Sequence, residues 1–234
     1  GGPEEVIFYL DGVPLANPFH LGGFATLFNP MLIESAEFFA GGAPARYEPA
    51  LSGVLEVNYA TGETTRGRAQ ADLSMHTAKV RVDAPTGVEG LSVLAAARRS
   101  YFELYFAGLR AAGIVGRNYV APDINEYLGR VHYRRGKHQL TATYLHSSDG
   151  LSFLIAPGEQ LLFDFAGGLQ LSNLVQLGIL KYQFDLGGGS ELSVTGAWTR
   201  DENHVAVSGE TALAQDAIRN EGFARGDLKL SFSE

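Results

Sequence analysis

The stretch of sequence that decides the fold is EYLGRVHYRRGKHQLTATY, which runs from Glu126 to Tyr144. Small or apolar residues alternate with polar ones in both of its halves, and this period of two predicts β-strands. Between the halves, Arg135-Gly136-Lys137 predicts a tight turn. The stretch is therefore predicted to form an antiparallel hairpin with one apolar and one polar face. The residues assigned to the apolar face are Tyr127, Gly129, Val131, Tyr133, Leu140, Ala142 and Tyr144.

The same alternation recurs along the chain after Gly62 and predicts further strands that arrive in pairs. One face of each predicted strand is apolar and the other carries charge. Together with the hairpin, these segments amount to roughly seven or eight strands. The other predicted strands are Ala69–His76, Leu91–Ala97, Tyr101–Phe106, Leu171–Asp185, Glu191–Asn203 and Gly222–Phe232.

Tight and long connections alternate between these predicted strands. Gly187-Gly188-Gly189 is a second tight turn. Ala107–Ala121, Ser147–Gly168 and Ala206–Asn220 are predicted as long loops. Short turns at one end and long loops at the other are typical of bacterial outer-membrane barrels, whereas such long loops are uncommon in compact soluble domains. A soluble β-sandwich produces the same side-chain alternation, so the strand pattern alone leaves both architectures open.

The chain before Gly62 has a different pattern, in which short β segments are separated by turn signals. Val6–Leu10 predicts a buried strand, and Asp11-Gly12 suits the type I′ turn that would end it. Met31–Phe39 predicts a helical turn that becomes a strand, and Gly53–Tyr59 predicts another strand. We therefore expect a separate β-rich region at 1–61. With so few strands left for 62–234, the sheet there is expected to be part of a larger one.

The composition excludes several classes of function. The 234 residues include no cysteine, which rules out disulfides and thiolate metal sites. A net charge of −8 argues against a nucleic-acid binder. No apolar run approaches the roughly 20 residues of a transmembrane helix. Gly1–Glu5 lacks the features of a signal peptide, so an exported protein would be a mature chain or a fragment.

The residue types needed for catalysis occur without the spacing that catalysis requires. No histidine pair has the i, i+4 spacing of a helical metal site, and no Gly-x-Ser-x-Gly motif occurs. We therefore predict no enzyme, no catalytic residues, no bound metal and no cofactor. The six histidines are His20, His76, His132, His138, His146 and His204.

Several blocks in residues 8–57 follow one another in a specific order. The blocks are Phe8–Leu15 (FYLDGVPL), Asn17–Phe24 (NPFHLGGF), Phe28–Pro30, Ile33–Glu37, Gly41–Tyr47 (GGAPARY) and Leu51–Val57 (LSGVLEV). This series resembles the C-terminal half of the plug domain of TonB-dependent receptors. Ala97–Phe102 and Pro122–Tyr127 resemble early barrel strands of the same family. One departure is that Glu48-Pro49 follows Tyr47, where the family usually has glycine.

The resemblance implies a β-rich fold, with part of a plug domain at 1–61 followed at 62–234 by an incomplete antiparallel transmembrane β-barrel sheet. It implies a receptor-transporter in the outer membrane of a Gram-negative bacterium, with lipid around it. Such a receptor takes up a scarce solute, such as a siderophore, cobalamin, a metal chelate or a glycan. The TonB complex energises this uptake through a segment expected upstream, and most of about 22 strands are expected outside this chain.

Two alternatives to a transporter remain open on the sequence. One is an outer-membrane binding or adhesion barrel without active transport. The other is a soluble β-sandwich that binds carbohydrate.

The resemblance also implies roles for particular residues. The loop Asn17–Asn29 is the expected ligand-facing apex of the plug, and Glu34, Glu37 and Arg46 are the expected plug–barrel contacts. Arg98 and Arg99 are adjacent on a predicted strand, so we expect them near the outer rim or at a β-bulge. The expected ligand-binding residues are Asn17, Phe19, His20, Phe24, Phe28 and Asn29. Expected members of the interfacial aromatic girdles are Tyr105, Tyr133, Tyr144 and Trp198, whereas Tyr9 is expected in the core.

Overall fold

The computed structural model describes residues 6–20, 23, 25–48, 52–63, 65–114, 119–155, 167–209 and 212–232. These residues form a four-stranded sheet, an eight-stranded sheet, a two-stranded ribbon and one helix. The first six strands are β1 (Val6–Leu10), β2 (Val13–Leu15), β3 (Phe19–His20), β4 (Ala25–Thr26), β5 (Ile33–Phe39) and β6 (Gly53–Tyr59). The rest are β7 (Arg68–Leu73), β8 (Thr77–Pro85), β9 (Leu91–Ser100), α1 (Phe102–Ala111), β10 (Tyr119–Arg135), β11 (His138–Ile155), β12 (Gly167–Gly187), β13 (Ser190–Gly209) and β14 (Leu213–Lys229).

The four-stranded sheet has the order β2-β1-β6-β5. Strand β1 pairs antiparallel with β2 and parallel with β6, and β5 pairs antiparallel with β6. Asp11 and Gly12, between β1 and β2, have φ angles of 51° and 85°, which are the positive values that a type I′ turn needs. The predicted strands Val6–Leu10 and Gly53–Tyr59 are therefore confirmed, and so is the predicted turn at Asp11-Gly12.

The eight-stranded sheet is an antiparallel meander from β7 to β14, in which each strand pairs with its neighbours in the chain. The predicted tight turns lie between β10 and β11, where Gly136 has a φ of 57°, and between β12 and β13, where Gly187–Gly189 have positive φ angles. Strands β7 and β14 form the two edges, so the sheet is open in the described part of the chain. The predicted β-rich fold with a large, incomplete antiparallel sheet is confirmed.

The predicted strand Tyr101–Phe106 is wrong, because this segment begins the helix α1. The neighbouring strand β8 starts at Thr77, which pairs with Ser100. A longer β9 would therefore have no partner on that side for its backbone groups. The helix instead packs over the β7–β8 turn, where the Phe102 ring stacks on His76 with the ring centroids 5.4 Å apart.

All three predicted long loops are shorter than predicted. Ala107–Ala121 includes the end of α1, which runs to Ala111, and the start of β10 at Tyr119. Strand β11 continues to Ile155, and β12 begins at Gly167. Strand β13 runs to Gly209, and β14 begins at Leu213, so most of Ala206–Asn220 is strand. The backbone ladder continues past the point where apolar alternation stops, because main-chain hydrogen bonds do not depend on side-chain polarity. Strands of 17 to 21 residues result, longer than the roughly 9–11 residues that cross a bilayer.

The two faces of the eight-stranded sheet have opposite surroundings. The four-stranded sheet packs against the face that carries charge, and Leu10, Val13 and Val57 share a core there with Leu128 and Leu177. The opposite, apolar face is exposed. The apolar side chains exposed on it include Val80, Val82, Tyr127, Val131, Leu140, Tyr144, Leu180, Val194 and Trp198. This arrangement is the reverse of a soluble β-sandwich, whose apolar faces meet and whose polar faces contact water.

The predicted aromatic girdle residues are distributed over several elements. Tyr144 and Trp198 lie exposed on the apolar face, whereas Tyr105 lies on α1. Tyr133 lies on β10 and is partly buried. Tyr9 is buried in the four-stranded sheet (the small sheet), where it packs edge-on against Tyr47. Within the described residues, no helix combines the length and apolar character needed to cross a membrane.

Candidate functional site

Three arginines on adjacent strands of the large sheet hold the N-terminal part of the chain. They are Arg81 on β8, Arg98 on β9 and Arg130 on β10. Their side chains project toward the face against which the four-stranded sheet packs, here called the covered face, and all three are buried. The guanidinium of Arg81 donates to the carbonyl oxygen of Met31 at 2.7 Å. That of Arg98 donates to the carbonyl oxygen of Thr26, also at 2.7 Å. The large sheet therefore recognises the backbone of the segment between the ribbon and β5.

Arg130 makes the most extensive of these contacts and is only 2% exposed. Its Nη1 donates to the carbonyl oxygens of Tyr59 at 2.6 Å and Ala60 at 3.1 Å. Its Nη2 forms an ion pair with the carboxylate of Asp11. The same carboxylate accepts a hydrogen bond of 3.0 Å from the backbone N–H of Tyr59. Asp11 thus joins the β1–β2 turn, the end of β6 and strand β10 of the eight-stranded sheet, in addition to its role in the turn.

Carboxylates on the covered face neutralise the other two arginines. Asp83 lies two residues after Arg81 on the same strand and accepts hydrogen bonds of 3.1 to 3.2 Å from its Nε and Nη2. Glu126 forms an ion pair with Arg98 across the β9–β10 ladder. A buried charge is tolerated only with a close partner, so these carboxylates allow the arginines to remain charged while they bind neutral carbonyl groups.

A second polar cluster surrounds His20, which lies on β3 and is 2% exposed. Its Nδ1 lies 2.9 Å from Asp149 Oδ2, and its Nε2 lies 3.3 Å from Glu126 Oε1. Asn173 donates to the other oxygen of Asp149 at 2.7 Å. Burial lowers the pKa of His20, but the hydrogen bonds to Asp149 and Glu126 outweigh it, and the net pKa is raised above 6.5. The surroundings of His20 therefore stabilise the imidazolium form relative to that of an ordinary histidine.

The sequence blocks Ala97–Phe102 and Pro122–Tyr127 lie side by side in this cluster. Arg99 pairs with Asn125 in the β9–β10 ladder, as Arg98 does with Glu126. The hydroxyl of Ser100 accepts the backbone N–H of Ile124 at 2.9 Å. The two blocks therefore form one wall of the contact with the N-terminal part.

Arg98 and Arg99 lie near the end of β9 that leads into α1, and the pairing there shows no β-bulge. Arg98 points to the covered face, whereas the side chain of Arg99 is 71% exposed and bonds Glu103 at 3.2 Å. Strand alternation thus sends the two neighbouring charges to opposite faces of the sheet.

The predicted ligand-binding residues lie in and beside the ribbon. Asn17 accepts the backbone N–H of Phe19 at 3.2 Å, and the Phe19 ring packs edge-on against Phe8. Phe28 and Asn29 are buried, and the backbone N–H of Asn29 donates to the Tyr59 hydroxyl at 2.9 Å. His20 faces the carboxylates of the large sheet, and Phe24 lies outside the described residues. A ligand role for these residues stays a prediction.

The residues predicted as plug–barrel contacts are not the ones that bind Arg81, Arg98 or Arg130. Arg46 lies in the connection between β5 and β6 and pairs with Glu56 of β6 at 3.2 Å. Burial raises the pKa of Glu56 against the lowering effect of Arg46. Glu37 is exposed on β5. Glu34 is exposed too, and it lines a cavity of about 160 Å³ that Arg130 also lines. Contact with the barrel stays a prediction for these three residues.

Sequence reasoning missed Arg81, Arg130, Glu126 and Asp149 as members of the contact. The signal was present for two of them, because Arg130 and Glu126 are charged residues on the polar face of a predicted strand. Arg81 lies on β8, which was not predicted as a strand, and Asp149 lies within the predicted loop Ser147–Gly168. Within the described part of the chain, no group of three or more His, Asp or Glu side chains is arranged to hold a metal ion.

No known family model matches the chain, and no curated protein matches it in sequence. Its fold is similar to the crystal structure of the siderophore receptor PiuA from Acinetobacter baumannii, with a TM-score of 0.59 and 12% sequence identity. The match covers 87% of this chain and 30% of PiuA, so the chain spans less than a third of that receptor's length. The chain shares the fold of part of this receptor.

A second solved structure, the siderophore receptor PirA from Acinetobacter baumannii, matches with a TM-score of 0.46 and 14% identity. That match covers 87% of this chain and 41% of PirA.

Proposed function

We propose that this chain belongs to a TonB-dependent receptor of the Gram-negative outer membrane. Residues 1–61 are then the end of its plug domain, and residues 62–234 are the first strands of its barrel. The whole receptor takes up a scarce solute, such as a siderophore, cobalamin, a metal chelate or a glycan. The fold shared with PiuA and the ordered plug-like sequence blocks support this proposal.

The observation that carries the proposal is the reversed burial of the eight-stranded sheet. Charged residues such as Arg130 and Glu126 are buried against the small sheet, while Leu180, Val194 and Trp198 are exposed on the other face. A sheet that encloses a polar plug and faces lipid requires this distribution. A soluble sandwich would instead expose a large apolar patch to water, which monomeric soluble proteins rarely do.

The contacts between the sheets suit a plug that moves during transport. The arginines bind backbone carbonyls and carboxylates, and water can replace a carbonyl or carboxylate partner when the plug shifts. Energy delivered by the TonB complex, through a segment upstream of these residues, would then rearrange the plug and open a path for the solute. Transport by this route needs conformational change and no covalent chemistry. The loop Asn17–Asn29 remains our candidate for the part of the plug that meets the ligand.

A lipid-facing apolar sheet predicts strong quenching of Trp198 by brominated phospholipids. Trp198 is the single tryptophan of the sequence, and it is 43% exposed on the apolar face. The measurement uses the full-length protein in vesicles, with any tryptophan outside this chain replaced by phenylalanine. The matched control combines Trp198→Phe with Phe223→Trp, because Phe223 packs against the core on the covered face. Quenching of Trp198 by iodide in water but not by lipid would place the apolar face in water.

Uptake measurements test the transport function itself. Cells that express the full-length protein are expected to accumulate at least one labelled solute from a panel of ferric siderophores, cobalamin and oligosaccharides. Deleting TonB should abolish the accumulation while binding at the cell surface remains. Binding without any TonB-dependent accumulation would favour the outer-membrane binding or adhesion barrel instead.

A further inference from the structure

We propose that His20 is a proton-dependent latch that fixes the β3–β4 ribbon to the wall of the eight-stranded sheet. The ribbon consists of Phe19–His20 paired with Ala25–Thr26. The latch is a property of the contact between ribbon and sheet, so it holds whether or not the full-length protein transports a solute.

The geometry around the imidazole is the first argument. Both ring nitrogens face carboxylate oxygens, Nδ1 that of Asp149 at 2.9 Å and Nε2 that of Glu126 at 3.3 Å. A neutral imidazole carries one N–H, so its second nitrogen would present a lone pair to a carboxylate. Only the imidazolium donates to both partners. The two hydrogen bonds therefore form together only when His20 is protonated.

The charges around His20 balance when it is protonated. Glu126 on β10 and Asp149 on β11 face its ring, and Arg98 on β9 pairs with Glu126. These three side chains and His20 are all buried. With His20 charged, these four side chains carry two positive and two negative charges. Loss of the proton removes one of the two positive charges from beside the buried carboxylates, which a low-dielectric environment penalises strongly.

Deprotonation should loosen the ribbon without releasing it. The carbonyl oxygen of Thr26 accepts a hydrogen bond from Arg98 that does not involve His20. The backbone N–H of Leu27 also donates to the carbonyl oxygen of Pro18 at 2.8 Å. The ribbon thus retains one attachment to the sheet and its own closing hydrogen bond, while the side held by His20 becomes free to open.

The direction of the pH dependence follows from linkage. The pKa of His20 in the folded protein is raised above 6.5. The latch therefore contributes fully below the ordinary pKa of histidine, and its contribution is lost as the pH rises through the higher folded value. Each unit by which the folded pKa exceeds the ordinary one corresponds to about a tenfold change in the equilibrium for opening.

Hydrogen–deuterium exchange of the full-length protein in detergent tests the latch. Protection factors of the amides of Phe19, His20, Ala25 and Thr26, corrected for intrinsic exchange at each pH, are expected to fall about tenfold per unit of pKa elevation as His20 deprotonates. His20→Gln should remove this pH dependence and leave protection low throughout, because glutamine does not titrate and carries no positive charge to pair with Asp149 and Glu126. Amides of β12 should not respond.

Three further variants make the test specific. His204→Gln is the matched control, because His204 pairs with the single carboxylate of Asp216 and both side chains are substantially exposed. It should leave the pH profile of the ribbon unchanged. Asp149→Asn and Glu126→Gln each remove one carboxylate and should move the midpoint to lower pH, which keeps the proposal testable if His20→Gln fails to fold. The proposal is overturned if protection in the parent is flat with pH, if His20→Gln keeps the parent profile, or if neither carboxylate variant moves the midpoint.

Discussion

Replacing Arg130 with methionine is expected to destabilise the contact between the two sheets by about 3–5 kcal/mol, the range for breaking a buried ion pair. Methionine fills most of the same volume but donates no hydrogen bond. The carboxylate of Asp11 then stays buried without its cation, and the carbonyl groups of Tyr59 and Ala60 lose their donor. Three groups lose a partner through one substitution, and one of them is a buried charge, which explains the size of the effect.

Urea unfolding of the full-length protein in detergent measures this loss, with protection of the Tyr59 amide as a local reporter. The backbone N–H of Tyr59 donates to Asp11, so it reports directly on the junction. Arg99→Met is the matched control, because the Arg99 side chain is 71% exposed and its ion pair with Glu103 is a surface pair. Exposed pairs contribute about 0–1 kcal/mol. Equal effects of the two substitutions would show that Arg130 does not anchor the small sheet.

A double variant separates the ion pair from the carbonyl contacts of Arg130. Asp11→Asn combined with Arg130→Met removes the buried charge that Arg130→Met alone leaves without its partner. The double variant should therefore lose less stability than the sum of the losses of the two single variants. The remaining loss then reports the bonds to the two carbonyl groups.

The architecture of the large sheet was predictable from sequence because alternation and turn chemistry agree there. Glycine at the tight turns and the apolar residues at every second position of β10 and β11 specify both the strands and their faces. The helix α1 was not predictable in this way. The apolar residues Phe102, Leu104 and Phe106 alternate as in a strand, whereas the pairing of β9 with β8 ends at Thr77 and Ser100. That information is tertiary, and no local pattern contains it.

The contact between the sheets was only partly predictable for a similar reason. The sequence shows that Arg130 and Glu126 lie on the polar face, but it does not show that Arg130 meets the β1–β2 turn more than a hundred residues away in the chain. Many of the acceptors are backbone carbonyls, such as those of Met31 and Thr26, and these leave no trace in residue identity. Arg46 was expected at the barrel from the resemblance; it pairs with Glu56 of β6, and its contact with the barrel stays a prediction.

Replacing Leu180 with arginine distinguishes a lipid-facing sheet from a water-facing one by the sign of its effect. Leu180 is 54% exposed on the apolar face, and its ladder neighbours are Ala142 and Gly196. In a bilayer, a charge at the midplane costs about 2–4 kcal/mol, and near the interface only about 0–1 kcal/mol. Leu186→Arg is therefore the matched control, because Leu186 lies beside the tight turn of the same strand and is 42% exposed.

The effect of Leu180→Arg is read as the folded fraction of the full-length protein in vesicles and as its solubility without detergent. A lipid-facing sheet predicts that Leu180→Arg folds much less well than Leu186→Arg and gains no solubility. In a water-facing sheet both substitutions would replace an exposed apolar group with a charge, and both would raise solubility at little cost in folding. Because the two sites lie at different depths along one strand, the ratio of their folded fractions reports the position of the bilayer relative to β12.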